Sequence, residues 1–126
     1  MQNGKYVVLC VDDEQDVLDG LRMILEANDY VVVEARSAEE GLKKYEESNP
    51  DFVLVDMMME TMDAGLNLAK TLKTRGSAPV YLLSSMAEGL TGQIEPTEIG
   101  LDGTFQKPVD PDALISCLKR ALSDSR

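Results

Sequence analysis

The chain has 126 residues, of which 44% are hydrophobic, and its 23 acidic and 12 basic residues give a formal net charge of −11. This length is typical of one compact domain, and the acidity argues against direct binding of nucleic acid, which requires a basic surface. The chain contains no histidine, which excludes histidine-based triads, zinc sites with histidine ligands and phosphohistidine on the chain itself.

Short apolar runs alternate with amphipathic stretches, a pattern typical of repeated βαβ units around a parallel sheet. The first predicted strand, over residues 6–11, is continuously apolar, as expected for a strand that is buried on both faces. A one-sided apolar stripe predicts a helix over 14–27, and a β-branched run predicts a second strand over 30–35. A capping box that begins at Ser37 starts the second helix, which Asn49-Pro50 ends.

The pattern continues through the middle of the chain. The third predicted strand, over 52–55, leads directly into Asp56. A third amphipathic helix follows and ends near Gly76, and the fourth strand, over 80–83, is followed by Ser84. Two polar residues therefore stand at the carboxyl ends of neighbouring predicted strands.

The last third of the chain contains the weakest part of the pattern. Glycine and proline interrupt the stretch 86–100, so we expect a short helix or loop there. A short fifth strand is predicted over 104–106, and Asp110-Pro111 opens a last helix. The sequence thus predicts one α/β domain of five strands and about five helices, with an ordered core over about 5–122 and a polar tail over 123–126. No signal peptide and no apolar run of roughly 20 residues is present, so we expect a cytoplasmic protein without membrane contact.

Polar residues follow the carboxyl ends of four predicted strands, where ligands bind in open parallel sheets. They are Asp12 and Asp13 after the first strand, Asp56 after the third, Ser84 after the fourth and Lys107 after the fifth. Each alone has an ordinary interpretation as a cap, a turn residue or a surface residue. Three adjacent carboxylates, however, repel one another unless a cation neutralises them. A hard divalent ion suits such oxygen ligands, and we predict Mg²⁺, with Mn²⁺ as an alternative.

The same set of residues suits phosphoryl transfer to a carboxylate. A carboxylate such as Asp56 can act as a nucleophile toward phosphorus and form an aspartyl-phosphate. The reaction needs mainly positioning and neutralisation of the equatorial phosphoryl oxygens. The metal ion, Lys107 and the Ser84 hydroxyl with nearby backbone N–H groups provide one partner for each oxygen. The sequence therefore predicts Asp56 as a phosphoacceptor.

Four sequence blocks together resemble the response-regulator receiver domain family over essentially the whole chain. They occur in the family's order and at about its spacing, and they are Val11 to Glu14, Leu54 to Met59, Leu82 to Ser85 and Gly100 to Pro108. The resemblance implies a flavodoxin-like, doubly wound parallel sheet with strand order 2-1-3-4-5. It also implies that a partner histidine kinase or phosphotransfer protein phosphorylates Asp56, which agrees with the absence of histidine from this chain.

The resemblance further implies a set of metal ligands. Asp13 and Asp56 would bind Mg²⁺ directly, Asp12 mostly through water, and Met58 through its backbone carbonyl. All four positions match the family motifs in this sequence.

A switch pair is also implied by the resemblance. The Ser84 hydroxyl would move toward the phosphoryl group, and the ring of Phe105 would follow it inward. The Lys107-Pro108 bond would be cis, which would direct the lysine into the pocket. The chain departs from the family pattern at Ala64, where glycine is common and where Gly65 follows one place later. We expect this departure to affect the shape of the loop and not the chemistry.

Two other functions are consistent with part of the pattern. An aspartyl-phosphate hydrolase would need a second acid two residues beyond Asp56, but that position holds Met58. A phosphorylation-independent interaction module on the same fold is the main alternative, although the complete acidic set with Ser84 and Lys107 argues against it. We therefore predict a phosphorelay signalling switch and not a metabolic enzyme, with a downstream partner that the sequence does not identify.

Overall fold

A computed structural model of the chain describes residues 4–57, 59, 64–84 and 102–123. Within these ranges, five strands and four helices follow one another along the chain. The strands are β1 (Val7–Val11), β2 (Val31–Ala35), β3 (Phe52–Asp56), β4 (Val80–Ser84) and β5 (Gly103–Gln106). The helices are α1 (Gln15–Ala27), α2 (Ala38–Ser48), α3 (Ala64–Arg75) and α4 (Pro111–Ser123). None of these helices is both long enough and apolar enough to cross a membrane.

The five strands form one parallel sheet in the order β2-β1-β3-β4-β5. This arrangement confirms the predicted doubly wound, flavodoxin-like fold. The central strands β1 and β3 are buried along their whole length, as their continuous apolar sequences predict. The helix or loop expected over 86–100 lies outside the described residues, which contain four helices where about five were predicted for the whole chain.

The start of α2 shows how local sequence fixes an element boundary. The Ser37 hydroxyl accepts a hydrogen bond of 3.0 Å from the backbone N–H of Glu40, which confirms the predicted N-cap. The Glu40 carboxylate accepts in return from the backbone N–H of Arg36 at 2.6 Å, one residue before the cap. At the other end Asn49 adopts a left-handed conformation with φ of 48° and ends the helix.

The sheet separates two apolar cores. Along β3, Phe52 and Leu54 pack against α1 and α4, whereas Val53 and Val55 pack against α2 and α3. Because side chains alternate along a strand, Asp56 continues the first set and lies on the face of the sheet that α1 and α4 cover. The fold therefore places the Asp56 carboxylate at the carboxyl end of β3, at the border of the apolar core that α1 and α4 cover.

Candidate functional site

Two buried carboxylates lie side by side at the carboxyl edge of the sheet. Asp12 directly follows β1 and is 0% exposed, and Asp56 ends β3 and is 2% exposed. The register of the two strands pairs Val11 with Val55, which places Asp12 next to Asp56. The backbone N–H of Asp12 also donates to the Ala35 carbonyl at 3.0 Å, so the strand ladder fixes the position of this carboxylate.

Lys107 supplies the positive charge between these carboxylates. Its Nζ lies 2.8 Å from Asp12 Oδ2 and 3.3 Å from Asp56 Oδ1, and its side chain is 16% exposed. The backbone N–H of Lys107 donates to the Ser84 carbonyl at 2.7 Å, which fixes the residue at the end of β5. The site is therefore a largely buried ion triple of two carboxylates and one ammonium.

Opposing effects act on the pKa of Lys107. Burial lowers it, but the close ion pair with the Asp12 carboxylate, followed by the attraction of Asp56, raises it more. The pKa of Lys107 consequently lies above its ordinary value of 10.5. The side chain stays protonated at neutral pH and can pair with an anion.

The acidic residues fit a divalent cation. Asp12, Asp13 and Asp56 each offer a carboxylate oxygen, and these atoms lie within 4.8 Å of one another. Asp12 Oδ1 accepts from the backbone N–H of Glu14 at 2.9 Å. Asp12 Oδ2 is buried and accepts no hydrogen bond of good geometry from the described part of the chain, so the charge of Lys107 alone compensates it. Mg²⁺ prefers oxygen ligands such as carboxylates. This cluster of three carboxylates, one of which is incompletely satisfied, therefore suits the ion.

The structure brings five of the predicted site residues to the same edge of the sheet: Asp12, Asp13, Asp56, Ser84 and Lys107. Phe105 is half-buried in β5, two residues before Lys107, and the Lys107-Pro108 peptide bond is cis. The predicted backbone ligand Met58 lies outside the described residues.

Two contacts at the site were not predicted from the sequence. The Glu14 carboxylate lies 3.7 Å from Lys107 Nζ and extends the acidic group toward solvent. Gly65 lies directly behind Asp56, in a space that admits no side chain. The sequence contains one sign of this contact, which is a glycine in the first turn of a helix. Glycine destabilises helices, so its presence there indicates a place where two backbones approach closely.

Known proteins share this fold and sequence pattern. Residues 8–119 match the family described as "Response regulator receiver domain". The transcriptional regulatory protein ResD of Bacillus subtilis is 30% identical, with a match that covers 96% of this chain and 50% of that protein. This chain thus spans half the length of that curated relative.

Solved structures agree with the sequence comparison. The receiver domain of NtrX from Brucella abortus has a TM-score of 0.82 and 27% identity, and the match covers 92% of this chain and 98% of that chain. A CheY-like response regulator receiver domain protein from Methanospirillum hungatei has a TM-score of 0.80 and 28% identity, and the match covers 96% of both chains.

Proposed function

Because the chain belongs to the response-regulator receiver domain family of two-component signalling, we propose that Asp56 is its phosphoacceptor. The phosphoryl donor is a histidine kinase or a phosphotransfer protein, and the reaction depends on Mg²⁺. The observation that supports this function best is the buried triple of Asp12, Lys107 and Asp56, with exposed Asp13 beside it. A buried ion triple often adds little to the stability of a protein, so stability alone does not explain its presence here. Its place at the edge of the sheet where ligands bind in this kind of fold favours a functional role.

Asp56 acts as the nucleophile in the proposed reaction. A carboxylate oxygen of Asp56 forms a bond to phosphorus while the phosphorus–nitrogen bond of the donor imidazole breaks. The electron pair of that bond stays on the donor nitrogen, and the product on this chain is an acyl phosphate. The Lys107 ammonium, held 3.3 Å from Asp56 Oδ1, then pairs with a phosphoryl oxygen.

The acidic residues prepare the site for the transfer. Asp12, Asp13 and Asp56 would hold Mg²⁺, or Mn²⁺ in its place, and Met58 stays the predicted backbone ligand. When bound, the ion supplies positive charge to the carboxylates and to a phosphoryl oxygen. Asp12 also holds Lys107 at 2.8 Å, which keeps the ammonium next to the acceptor before transfer.

The outcome of phosphorylation is a conformational change and not turnover of a metabolite. Ser84 ends β4, the strand next to the acceptor strand, and is the proposed switch residue. Phe105 was predicted as its partner, but it lies one strand further out and packs beside Leu83 in the core that α1 and α4 cover, on the face of the sheet opposite to the Ser84 side chain. The phosphoryl group favours one of two conformations of this region by binding it more tightly. A protein partner then recognises the favoured surface.

Mass spectrometry after incubation with acetyl phosphate tests this function. We expect a gain of one phosphoryl group with Mg²⁺, no gain in its absence, and no gain in Asp56→Asn. Asp19→Asn is the matched control, because Asp19 is an exposed acid of α1 and its loss should leave phosphorylation unchanged. If the wild type gains no mass and binds no Mg²⁺, the phosphoacceptor function is wrong and an interaction module on the same fold is the better description.

A further inference from the structure

Within the described residues, Lys107 pairs with three carboxylates that differ in their exposure to solvent. Its Nζ lies 2.8 Å from Asp12, 3.3 Å from Asp56 and 3.7 Å from Glu14. The side chains of Asp12 and Asp56 are 0% and 4% exposed, whereas that of Glu14 is 65% exposed. Because an ammonium has three N–H donors, these three acids can occupy all of them before a phosphoryl group arrives.

The Glu14 carboxylate takes no part in starting the helix that follows it. Glu14 is the N-cap residue of α1, where a side chain commonly accepts a hydrogen bond from a backbone N–H of the first turn. Its side chain makes no such bond to the described helix. The backbone fixes the residue instead, since the N–H of Glu14 donates to Asp12 Oδ1 at 2.9 Å and its carbonyl accepts from the N–H of Leu18 at 3.3 Å. The ion pair with Lys107 is therefore the contact that the carboxylate makes.

A phosphoryl group on Asp56 needs one of the ammonium donors, and the three acids are not equally able to release one. Asp12 is buried, and no hydrogen bond from the described part of the chain would compensate its Oδ2 if Lys107 turned away. Asp56 loses its carboxylate charge when it forms the acyl phosphate, and the charge that Lys107 must then balance lies on the phosphoryl oxygens. Glu14 is exposed and can be hydrated, so it is the partner that the phosphoryl group displaces.

The phosphoryl group and the Glu14 carboxylate also lie on the same side of the site. Asp12 and Asp56 are buried at the border of the apolar core, so a group added to Asp56 must extend toward solvent, where the Glu14 carboxylate lies. Two anions that share one ammonium repel each other. Glu14 therefore opposes the phosphoryl group both by competition for Lys107 and by repulsion.

On the basis of the proposed function, we infer that Glu14 is a positioning residue that competes with the phosphoryl group for Lys107 and so weakens the binding of that group at Asp56. Glu14 acts through the ammonium and not on the reacting atoms. Ion pairs with an exposed partner change an equilibrium by up to about fivefold. Loss of the Glu14 charge should strengthen binding of the phosphoryl group by a factor in this range.

Binding of beryllofluoride, as a mimic of the phosphoryl group, tests this role, with Mg²⁺ saturating for each variant so that metal affinity does not enter. We expect Glu14→Gln to bind beryllofluoride about two- to fivefold more tightly than the wild type, and Glu14→Lys to bind it at least as tightly as Glu14→Gln. Unchanged or weaker binding by Glu14→Gln, or a loss of affinity in Glu14→Lys relative to the wild type, would overturn the inference.

The matched control for charge is Asp16→Asn. Asp16 is an exposed acid in the first turn of α1 and is not among the three described acids that pair with Lys107. Its loss removes the same charge from the same helix, so we expect this variant to bind beryllofluoride like the wild type. A gain equal to that of Glu14→Gln would show a general effect of net charge and would contradict the competition for Lys107.

The ion pair can also be detected without a ligand. The ¹⁵N resonance of Lys107 Nζ, which Lys107→Arg assigns by its absence, should shift in Glu14→Gln and stay in place in Asp16→Asn. An unshifted resonance in Glu14→Gln would disprove the competition and leave the phosphoacceptor function intact. A wild type that binds no beryllofluoride would instead disprove both.

Discussion

Gly65, in the first turn of α3, lies so close to the backbone carbonyl of Asp56 that no side chain fits between this helix and β3. A Cβ atom on Gly65 would overlap the Asp56 carbonyl oxygen and would lie 2.7 Å from the carbonyl oxygen of Met57. Both obstacles are backbone atoms, which cannot rotate away as a flexible side chain can. The position of Asp56, the proposed phosphoacceptor, therefore depends on the absence of a side chain from the neighbouring helix.

We expect Gly65→Ala to lower the free energy of unfolding by about 1–3 kcal/mol, because the added methyl group forces α3 or the end of β3 to move. Phosphorylation by acetyl phosphate should also slow, since Asp56 is displaced. Urea unfolding and the rate of mass gain measure the two effects. The matched control is Gly20→Ala in α1, where a Cβ atom would meet nothing within 4 Å. That change should be neutral or stabilising by up to about 1 kcal/mol. Equal stability and equal phosphorylation of Gly65→Ala and the wild type would show that the close contact is unimportant.

The convergence of Asp12, Asp56 and Lys107 could be predicted from the sequence, because carboxyl ends of parallel strands meet at one edge whatever the details of packing. Their ion pairing follows from the same arrangement, since opposite charges brought to a buried edge must compensate one another. The capping box of α2 was equally predictable, because Ser37 and Glu40 act within one turn of the chain.

Contacts that depend on the distance between elements could not be predicted. The fifth strand was predicted over 104–106 but begins at Gly103, since its pairing with Tyr81 is what makes a glycine suitable there. Nothing in the local sequence indicates that pairing. Gly65 was likewise assigned to the shape of a loop, because only the position of α3 against β3 places it behind Asp56.

Lys107→Met should leave two buried carboxylates without their cation. We expect the free energy of unfolding at neutral pH to fall by about 3–5 kcal/mol, the usual effect of removing one partner of a buried ion pair. Saturating Mg²⁺ should restore much of this loss, because the ion supplies the missing positive charge. The control is Lys73→Met, since Lys73 pairs with Asp102 at 3.1 Å where both side chains are partly exposed. That variant should lose no more than about 1 kcal/mol and show no such rescue. Equal losses in the two lysine variants would contradict the buried triple.

Asp13→Asn should separate metal binding from stability. Asp13 is exposed, whereas Asp12 is buried and paired with Lys107. We therefore expect Asp13→Asn to change the free energy of unfolding by no more than about 0.5 kcal/mol, while calorimetric titration shows Mg²⁺ affinity about tenfold weaker or worse. Asp12→Asn should lose both stability and Mg²⁺ affinity. Mg²⁺ affinity of Asp13→Asn equal to that of the wild type would exclude this carboxylate from the metal site.

The phenol of Tyr81 should make the chain sensitive to alkali. Burial and the hydrogen bond with Cys117 raise the pKa of Tyr81 from its ordinary value of 10.0 to about 12, with a further increase from Asp102 and a decrease from Arg120. The unfolded chain therefore releases this proton at lower pH than the folded chain does. The contribution of the neutral phenol to stability is complete below pH 10 and is lost as the pH rises from 10 to about 12.

We expect the free energy of unfolding of the wild type to fall more steeply with pH in that window than that of Tyr81→Phe, while the two curves run parallel below pH 10. Urea unfolding at a series of pH values measures both curves. Burial also raises the pKa of the Cys10 thiol to about 12, but this group titrates in both proteins and so does not contribute to their difference. If the two curves stayed parallel up to pH 12, the phenol would be open to solvent. In that case the ring of Tyr81 could not be packed against Phe52 and α4, because this packing is what buries its hydroxyl.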